Sequence, residues 1–329
     1  MSLTRQRVWF PVYIFLAICV FVSHPSRAQD FQGWLQNLRL EAVQFGISEK
    51  LVAEALPDTL APNEMIIHLD HKQPEGGISF QRYKNNTVTA SRIRAGRSKM
   101  LQYKSLLKGV SYRYGVPSQY IAALWGVETS YGSNTGGFET IPALVTLAYD
   151  GRRGEFFRQE LLKALRIVDQ GDIGLHEMKG SWAGAMGQCQ FMPTSYEKYA
   201  QAYNSGGKPD IWDSEADVFA STANYLAKNG WKAKEPWGVR IALPKNFNNK
   251  LIGIKVTKSL KDWRDTGVRV PVNVFDENEA LSIVQSGGEG YKTYLVGDNY
   301  RILLQWNTST YFATAVGLLA DELKKSASS

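Results

Sequence analysis

Apolar residues recur at intervals of three and four along most of the chain, which is the spacing of one face of an α-helix. Over residues 31–56 this spacing predicts a helical segment that breaks at Gly46, with Ser48 as the N-cap of its second half. Ser118 is predicted to cap a later helix, and Asn229-Gly230 to close another. The remaining helices are predicted over residues 89–114, 118–131, 155–169, 194–203, 215–229 and 311–323.

The pattern changes after Pro236, where short β-branched runs alternate with Asn and Gly turns. The predicted fold class is therefore α+β, mainly α: a helical body with a small antiparallel β-domain inserted before its last helix. Such an insertion leaves a groove between the two parts, which is a common place for a binding site. The strands are predicted at residues 239–243, 251–256, 268–272, 291–296 and 300–304.

The first 28 residues have the features of a secretory signal peptide. Arg5 and Arg7 precede an uncharged run at residues 8–22, and small residues at Ser26 and Ala28 predict cleavage after Ala28. An uncleaved N-terminal anchor is the alternative, because the apolar run is of marginal length for a membrane span. A lipid anchor on Cys19 is disfavoured by the bulky Ile18 before it. The sequence predicts an exported protein.

Composition and charge exclude several classes. With 44% hydrophobic and 21% charged residues, the 329-residue chain is not intrinsically disordered. Removal of residues 1–28 takes away three arginines and no acidic residue, which lowers the formal net charge from +7 to +4. A net positive charge this small does not by itself indicate nucleic-acid binding. It is compatible with a polyanionic or mixed-charge polymer as the binding partner. Cys189 is left as a lone thiol, so no internal disulfide is expected.

Residues 115–132 contain the strongest candidate for acid–base chemistry. On a helical wheel Ile121, Trp125 and Glu128 share one face, which places a carboxylate in an apolar stripe. Burial raises a carboxyl pKa, as a general acid working near neutral pH requires. A boundary glutamate that reaches solvent, or one paired with an arginine, is the alternative interpretation.

Residues 180–193 form a second dense stretch. Glycines at 180, 184 and 187 would let backbone approach a ligand closely, and Gln190 could bind an amide or hydroxyl. A tight structural crossover is the alternative, and composition alone favours it.

Together these stretches resemble the lytic murein transglycosylase B family, enzymes of lysozyme-like fold. The resemblance runs from about Phe31 to Leu323. Its specific motifs are Trp125-Gly-Val-Glu-Thr-Ser-Tyr-Gly132 and Gln190-Phe-Met-Pro193, and these are accompanied by Tyr114-Gly-Val-Pro117 and Ser181-Trp-Ala-Gly-Ala-Met-Gly187. Supporting matches are His71-Lys-Gln-Pro-Glu75, Asn224-Tyr225, Asn229-Gly230-Trp231 and Trp306-Asn-Thr-Ser309.

The resemblance implies one catalytic glutamate, Glu128, and a set of substrate-binding residues. Two positions depart from the family: Trp306 stands where a tyrosine is usual, and a later tyrosine falls at Phe312, with neighbouring Tyr311 as a substitute. The implied substrate-binding residues are Ser181, Gln190, Tyr225, Trp306, Asn307 and Tyr311.

The implied reaction is non-hydrolytic cleavage of the β-1,4 bond between N-acetylmuramic acid and N-acetylglucosamine in peptidoglycan, with Glu128 as acid and then base, giving 1,6-anhydro-muramic ends. Ordinary glycosidases use two carboxylates, and Glu139, Asp150 and Glu155 are further acidic residues, interpreted as solvated or structural. A hydrolytic muramidase and a non-catalytic peptidoglycan-binding protein are the alternatives. The implied partners are peptidoglycan glycan strands in the periplasm, with transient contacts to wall-synthesis proteins, no nucleic acid and a monomeric state.

The resemblance also gives the expected domain boundaries. They are a signal peptide at 1–28, an N-terminal helical region at 29–115, a lysozyme-like catalytic core at 116–235, a small β-rich domain at 236–299, and a C-terminal strand and helix at 300–329.

No metal or organic cofactor is expected. Some family members carry a calcium loop resembling an EF-hand after the Gln-Phe-Met-Pro helix, but Ala202, Gly206 and Lys208 stand here where oxygen ligands would be needed. The histidines at 68, 71 and 176 show no paired metal-ligand spacing.

Overall fold

The computed structural model describes residues 27–72, 78–204, 206–271, 274–285 and 292–325. The predicted signal peptide lies almost wholly outside these residues. Within them, no helix combines the length and the apolar character that a membrane crossing needs. The helices are α1 (Arg27–Gln44), α2 (Glu49–Ala55), α3 (Glu64–His71), α4 (Phe80–Thr87), α5 (Ala90–Gln102), α6 (Lys104–Tyr114), α7 (Ser118–Thr129), α8 (Thr140–Asp150), α9 (Gly154–Asp169), α10 (Pro193–Tyr199), α11 (Glu215–Lys228), α12 (Leu260–Asp265), α13 (Asp298–Trp306) and α14 (Thr310–Lys324). The strands are β1 (Phe138–Glu139), β2 (Lys179–Gly180), β3 (Gly238–Ile241), β4 (Ser282–Gln285) and β5 (Thr293–Val296).

The α+β, mainly α class is confirmed, and so are several helix boundaries. The first segment breaks at Gly46, and the Ser48 hydroxyl accepts a hydrogen bond from the Leu51 amide at 3.4 Å as the N-cap of α2. Asn229 caps the end of α11, followed by Gly230 in a left-handed conformation at φ 91°. These ends follow from local capping chemistry, which the sequence displays directly.

Two helix predictions are wrong in detail. Residues 89–114 form two helices, α5 and α6, that meet at Tyr103. The N-cap of α7 is Pro117 and makes no side-chain cap; the Ser118 hydroxyl instead donates to the Leu107 carbonyl of α6 at 3.2 Å. A neighbouring helix therefore takes the hydroxyl that the sequence assigned to local capping.

Three strand predictions are also wrong. Residues 300–304, predicted as a C-terminal strand, belong to helix α13, because Tyr300, Ile302 and Leu303 pack into the main core at helical spacing. In residues 251–256 a 3-10 turn ends at Leu251 and one isolated bridge lies at Ile252; in the described residues 268–271 the strand pairing is a single bridge from Arg269 to Ala242. Strand β4 was not predicted from the sequence.

The three longer strands form an antiparallel sheet in the order β3-β5-β4. Because side chains alternate across a sheet, its two faces pack against different cores. Ile283 and Leu295 face a small separate core that includes Trp263, while Val284 and Tyr294 join the core of the helical body. The predicted inserted β-domain thus has a core of its own, whereas the exact domain boundaries stay a prediction.

Trp237 fixes the sheet to the helical body. Its buried indole donates from Nε1 to Asp321 of α14 at 3.1 Å, and its amide donates to the Tyr120 hydroxyl of α7 at 3.3 Å. Gly317 of α14 lies directly beneath the indole, where a β-carbon would overlap the ring. Trp237 therefore locks the sheet to α7 and α14.

Helix α7 is central to the body. Residues 120–126 are all buried, so this helix is covered on every side and not only along one stripe. It contacts α14, α5, α6 and α11. Glu128 is thus set apart by its position in the last turn of a buried helix.

Candidate active site

Backbone strain is concentrated around the end of α7. Among the described residues, the non-glycine residues with positive φ are Ser130 and Tyr131, directly after α7, and Gln190 in the second motif, at φ 51°, 62° and 51°. Such conformations are costly for residues with a β-carbon and persist where surrounding contacts enforce them. Here the Tyr131 hydroxyl donates to the Arg92 carbonyl at 3.0 Å.

Hydrogen bonds join the two dense sequence motifs. The buried Trp125 indole donates to Gln188 Oε1 at 2.7 Å, and the Thr129 hydroxyl donates to the Gln188 carbonyl at 3.1 Å. From the other side, Gln190 Nε2 donates to the Thr135 carbonyl at 3.0 Å. The 187–190 turn is therefore held against the turn of α7 that carries Glu128.

The Glu128 carboxyl has one hydrogen-bond partner among the described residues. Trp306 Nε1 donates to Glu128 Oε1 at 2.6 Å, across 178 residues of sequence. The Trp306 ring also packs on Phe191 and Tyr225, with ring centroids 5.2 and 4.6 Å apart. The carboxyl thus lies against an aromatic cluster, and the residue as a whole is only partly exposed.

This environment sets the proton affinity of Glu128. Loss of hydration on burial raises the pKa to about 7, and the hydrogen bond from Trp306 opposes part of that rise by stabilising the ionised form. The carboxyl also lies at the C-terminal end of α7, where the helix dipole disfavours negative charge. At neutral pH the group is divided between its acid and base forms, which suits transfer of a proton in both directions.

Trp306 was predicted to bind substrate, and the structure gives it a contact that the sequence did not indicate. An indole N–H is a donor only. It can stabilise the Glu128 carboxylate after the proton has left, but it cannot accept that proton. Trp306 therefore acts on the charge state of Glu128 as well as on the shape of the groove.

Ser181 and Gln190, both predicted to bind substrate, use part of their hydrogen-bonding capacity in local turns. The Ser181 hydroxyl accepts from the Ala185 amide at 3.1 Å, and Gln190 Nε2 reaches the Gly187 carbonyl at 3.0 Å as well as Thr135. The Ser181 hydroxyl proton and the Gln190 carbonyl oxygen have no partner among the described residues. Their roles toward Glu128 and substrate stay predictions.

The other predicted residues lie in different surroundings. Tyr225 belongs to the aromatic cluster with Trp306. Asn307 caps α13, and its Oδ1 accepts from the Ser309 amide at 2.9 Å, which leaves its side-chain amide as a donor. Tyr311 contacts the rings of Phe80 and Tyr83 on α4, at 5.3 and 5.9 Å. The structure brings Tyr225 and Trp306 to Glu128 and turns Tyr311 toward α4.

The glycines of the second motif allow close packing of the chain on itself. A β-carbon at Gly180 would overlap the Ala185 carbonyl, and one at Gly187, whose φ is 60°, would lie 2.6 Å from the Ile211 carbonyl. No ligand is needed to explain them. The tight crossover that composition favoured is what these glycines form.

The other acidic candidates are engaged away from Glu128. Glu139 lies 3.3 Å from His176, Asp150 lies 2.9 Å from His71, and exposed Glu155 accepts from Gln159 at 2.9 Å. Their interpretation as solvated or structural groups fits these contacts. Within the described ranges, the hydrogen-bond partner of Glu128 is an indole, with no second carboxyl in contact.

Two buried acids were not singled out by the sequence. Asp70 accepts hydrogen bonds from Arg152 and Arg153 at 2.6 to 2.8 Å. The two guanidinium groups, and that of Arg152 most strongly, lower the pKa of Asp70. Glu160 accepts from the amide and hydroxyl of Thr194 at 2.8 and 2.7 Å at the start of α10, while burial raises its pKa. Asp70, His71 and Asp150 come within metal-ligand reach of one another, but the two arginines already neutralise Asp70. Both acids hold the fold together.

The stretch considered for calcium does not fit a calcium ion. Asp217 accepts the amides of Tyr203 and Asp210 at 2.8 and 2.9 Å, so its oxygens are already in use. Lys208 donates to the Gln170 carbonyl and lies 3.3 Å from Asp172. An ammonium group and backbone amides thus cross-link the loop where a cation would need free carboxylates.

Comparison with known proteins gives consistent matches. A family model described as "Transglycosylase SLT domain" matches residues 30–321. The chain is 31% identical over 308 residues to the Escherichia coli (strain K12) membrane-bound lytic murein transglycosylase B, covering 90% of this chain and 82% of that protein.

Solved structures agree with these matches. SltB3 from Pseudomonas aeruginosa, in complex with NAG-anhNAM-pentapeptide, superposes with a TM-score of 0.84 at 38% identity, covering 89% of this chain and 79% of that one. The Escherichia coli lytic transglycosylase Slt35, in complex with calcium, gives a TM-score of 0.77 at 26% identity, covering 92% and 94%. The lysozyme-like fold expected from the motifs is confirmed. With Glu128 in its motif and a family match over nearly the whole described chain, this protein belongs to the SLT-domain family of lytic transglycosylases.

Proposed function

We propose that this protein is a peptidoglycan lytic transglycosylase that cleaves the β-1,4 bond between N-acetylmuramic acid and N-acetylglucosamine without water. The observation that carries the proposal is a single glutamate with a pKa of about 7, held against an aromatic cluster, in the motif of the family. The relatives named above are enzymes of this class, which supports the same reaction here.

In the first step Glu128 acts as general acid. Its proton goes to the glycosidic oxygen as the bond to the muramic C1 breaks, and positive charge develops on the sugar ring. The carboxylate left behind keeps the hydrogen bond from Trp306, which stabilises its new charge. General acid assistance of this kind contributes about 10²–10⁴-fold to the rate.

In the second step the same carboxylate acts as general base. It takes the proton from the C6 hydroxyl of the muramic residue, whose oxygen then bonds to C1 and closes the 1,6-anhydro ring. Glu128 is thereby returned to its acid form. One carboxyl suffices because the nucleophile belongs to the substrate, which agrees with the lack of a second carboxyl in contact with Glu128 among the described residues.

Digestion of purified sacculi tests the proposal. Wild-type protein should release muropeptides lighter by one water molecule than the hydrolysed products of a muramidase. Glu128→Gln should stay folded and lose nearly all release, because an amide has no proton to deliver. Hydrolysed products would identify a muramidase, and full activity in folded Glu128→Gln would refute the catalytic assignment.

We further propose export to the periplasm after removal of residues 1–28, and a monomeric enzyme that meets glycan strands and, transiently, wall-synthesis proteins. The signal-like segment of the sequence and the periplasmic location of peptidoglycan support export. N-terminal sequencing of the exported protein should begin at Gln29, and retention of residues 1–28 would identify an anchor.

A further inference from the structure

The helices beside the active site carry an unusual charge distribution. Between Glu75 and Glu128 the chain has nine basic residues and no acidic one. All nine lie on α4, α5 and α6, which we call the basic helices. Since the mature chain has a net charge of only +4, this surplus is concentrated on these three helices.

Contacts within the protein account for three of these charges. Arg97 lies 3.8 Å from Glu322, Arg92 donates to the Ser130 hydroxyl at 3.2 Å, and Arg113 donates to the Tyr203 carbonyl at 2.7 Å. Glu215 of α11 is a further nearby acid and hydrogen-bonds Tyr103. The other six have no carboxylate within ion-pair distance in the described part of the chain: Arg82, Lys84, Arg94, Lys99, Lys104 and Lys108.

One of these unpaired cations lines an open cavity. The cavity has a volume of about 400 Å³ and lies between α5 and the loop that follows α7. Lys99 forms its basic wall, while Ser130 and Ser133 contribute hydroxyl groups. The Lys99 ammonium is 5.6 and 5.8 Å from the ring centroids of Tyr103 and Trp125, which hold it in place without neutralising it. An ammonium group among hydroxyls is a site for an anionic oxygen group.

The cavity is close to the reacting carboxyl. Ser130 is two residues from Glu128, so their Cα atoms are at most about 7 Å apart. Helix α4 contacts Tyr311, which follows α13, the helix that ends at Trp306. A group attached to the sugar at Glu128 can therefore reach the basic helices.

We propose that the cavity at Lys99 binds a carboxylate of the peptide stem attached to N-acetylmuramic acid. This inference rests on the proposed function, because it requires the muramic residue to lie at Glu128. Stem peptides carry several carboxylates close to the glycan, which complements cations that have no partner in the protein. The basic helices then select stem-bearing glycan.

An anionic membrane surface is less well matched to these observations. Exposed Leu101 and Tyr112 lie near Lys104 and Lys108, as on an interfacial helix, but the cavity at Lys99 is concave and opens beside the catalytic helix. A flat surface of lipid headgroups does not enter such a cavity.

The test measures binding in the Glu128→Gln background, where no cleavage occurs. Soluble, uncross-linked glycan chains are used either with their stems or after removal of the stems by an amidase. Lys99→Gln should weaken binding of stem-bearing glycan about tenfold, which corresponds to about 1.4 kcal/mol, and leave binding of stripped glycan within about twofold. Lys245→Gln, an equal charge change at an exposed position of the small domain, is the control and should leave binding of both glycans unchanged.

The possible outcomes are distinct. Equal weakening on both glycans would overturn the proposal, because the cavity would then contact sugar or support the fold. Unchanged binding of both would also overturn it. Loss of binding to vesicles containing phosphatidylglycerol, with glycan binding retained, would assign the surface to lipid. Failure of wild-type protein to release anhydro-muropeptides would refute the proposed function separately.

Discussion

Replacement of Glu128 by glutamine should change how the stability of the protein depends on pH. In the folded protein burial raises the pKa of Glu128 from its ordinary value of 4.5 to about 7. Between these two values the folded state keeps a proton that the unfolded state has released. The contribution of this group to stability is therefore fully present below about pH 4.5, and is lost as pH rises through 7.

The size of the effect follows from the same pKa. At about 1.36 kcal/mol per pH unit, the rise from 4.5 to about 7 corresponds to about 3 kcal/mol of lost stability once the pH is well above 7. Glutamine has a similar shape and no charge to desolvate. Relative to wild type, Glu128→Gln should therefore gain about 3 kcal/mol of stability between pH 4.5 and pH 8, although we expect it to lose its activity.

Urea denaturation of both proteins across this pH range measures the difference in unfolding free energy. Taking the difference removes the contribution of every other titrating group that the two proteins share. Glu155→Gln, at an exposed position of α9, serves as the control for loss of one negative charge. A difference that stays flat from pH 4.5 to 8, or falls as pH rises, would contradict the buried, proton-retaining Glu128.

Three further predictions concern other contacts. Trp306→Phe removes a hydrogen bond to a charged group worth about 1.5–3 kcal/mol, so the alkaline limb of the kcat/KM profile should move to higher pH by about 1–2 units. Trp306→Tyr keeps a hydrogen-bond donor and should leave the alkaline limb where it is. A shift of that limb to lower pH in Trp306→Phe would refute the contact. Millimolar calcium should not raise the Tm, because Lys208 and backbone amides occupy the loop; a rise reversed by a chelator would show that ligands do assemble. Gly317→Ala should lower the stability of the protein by about 1–3 kcal/mol, because the added β-carbon overlaps the Trp237 ring. Gly33→Ala is the control and should not lower it, since no atom lies near its β-carbon. Equal melting temperatures for the two variants would disprove the close packing of Trp237 on Gly317.

The parts of the fold that the sequence predicted are those that depend on neighbouring residues. The cap at Ser48 and the stop at Asn229-Gly230 use side chains a few positions from the backbone they satisfy. Residues 300–304 show the opposite case, since a short, mostly apolar run fits a strand or a helix equally well. These residues form helix α13 because it packs into the main core. That contact is with residues distant in sequence, so the local sequence does not reveal it.

The candidate site likewise has residues that the sequence could identify and contacts that it could not. Glu128 was found because its motif is compact, and an apolar environment was expected from its spacing. The hydrogen bond from Trp306 crosses 178 residues, so no window of sequence contains it. Lys99 was not found either, because a lysine in a helical stretch is usually solvated, and its lack of a partner is evident only in the structure.

The long sequence separation between Glu128 and Trp306 determines when during folding the enzyme becomes able to cleave the cell wall. Folding proceeds as the chain emerges from its N-terminus, and α13 is among the last elements to be added. Until it docks, Glu128 lacks both its donor and part of the aromatic cover that raises its pKa. Full lytic capacity therefore requires a complete chain, and fragments that end before residue 306 would retain the glutamate without the environment that makes it an acid.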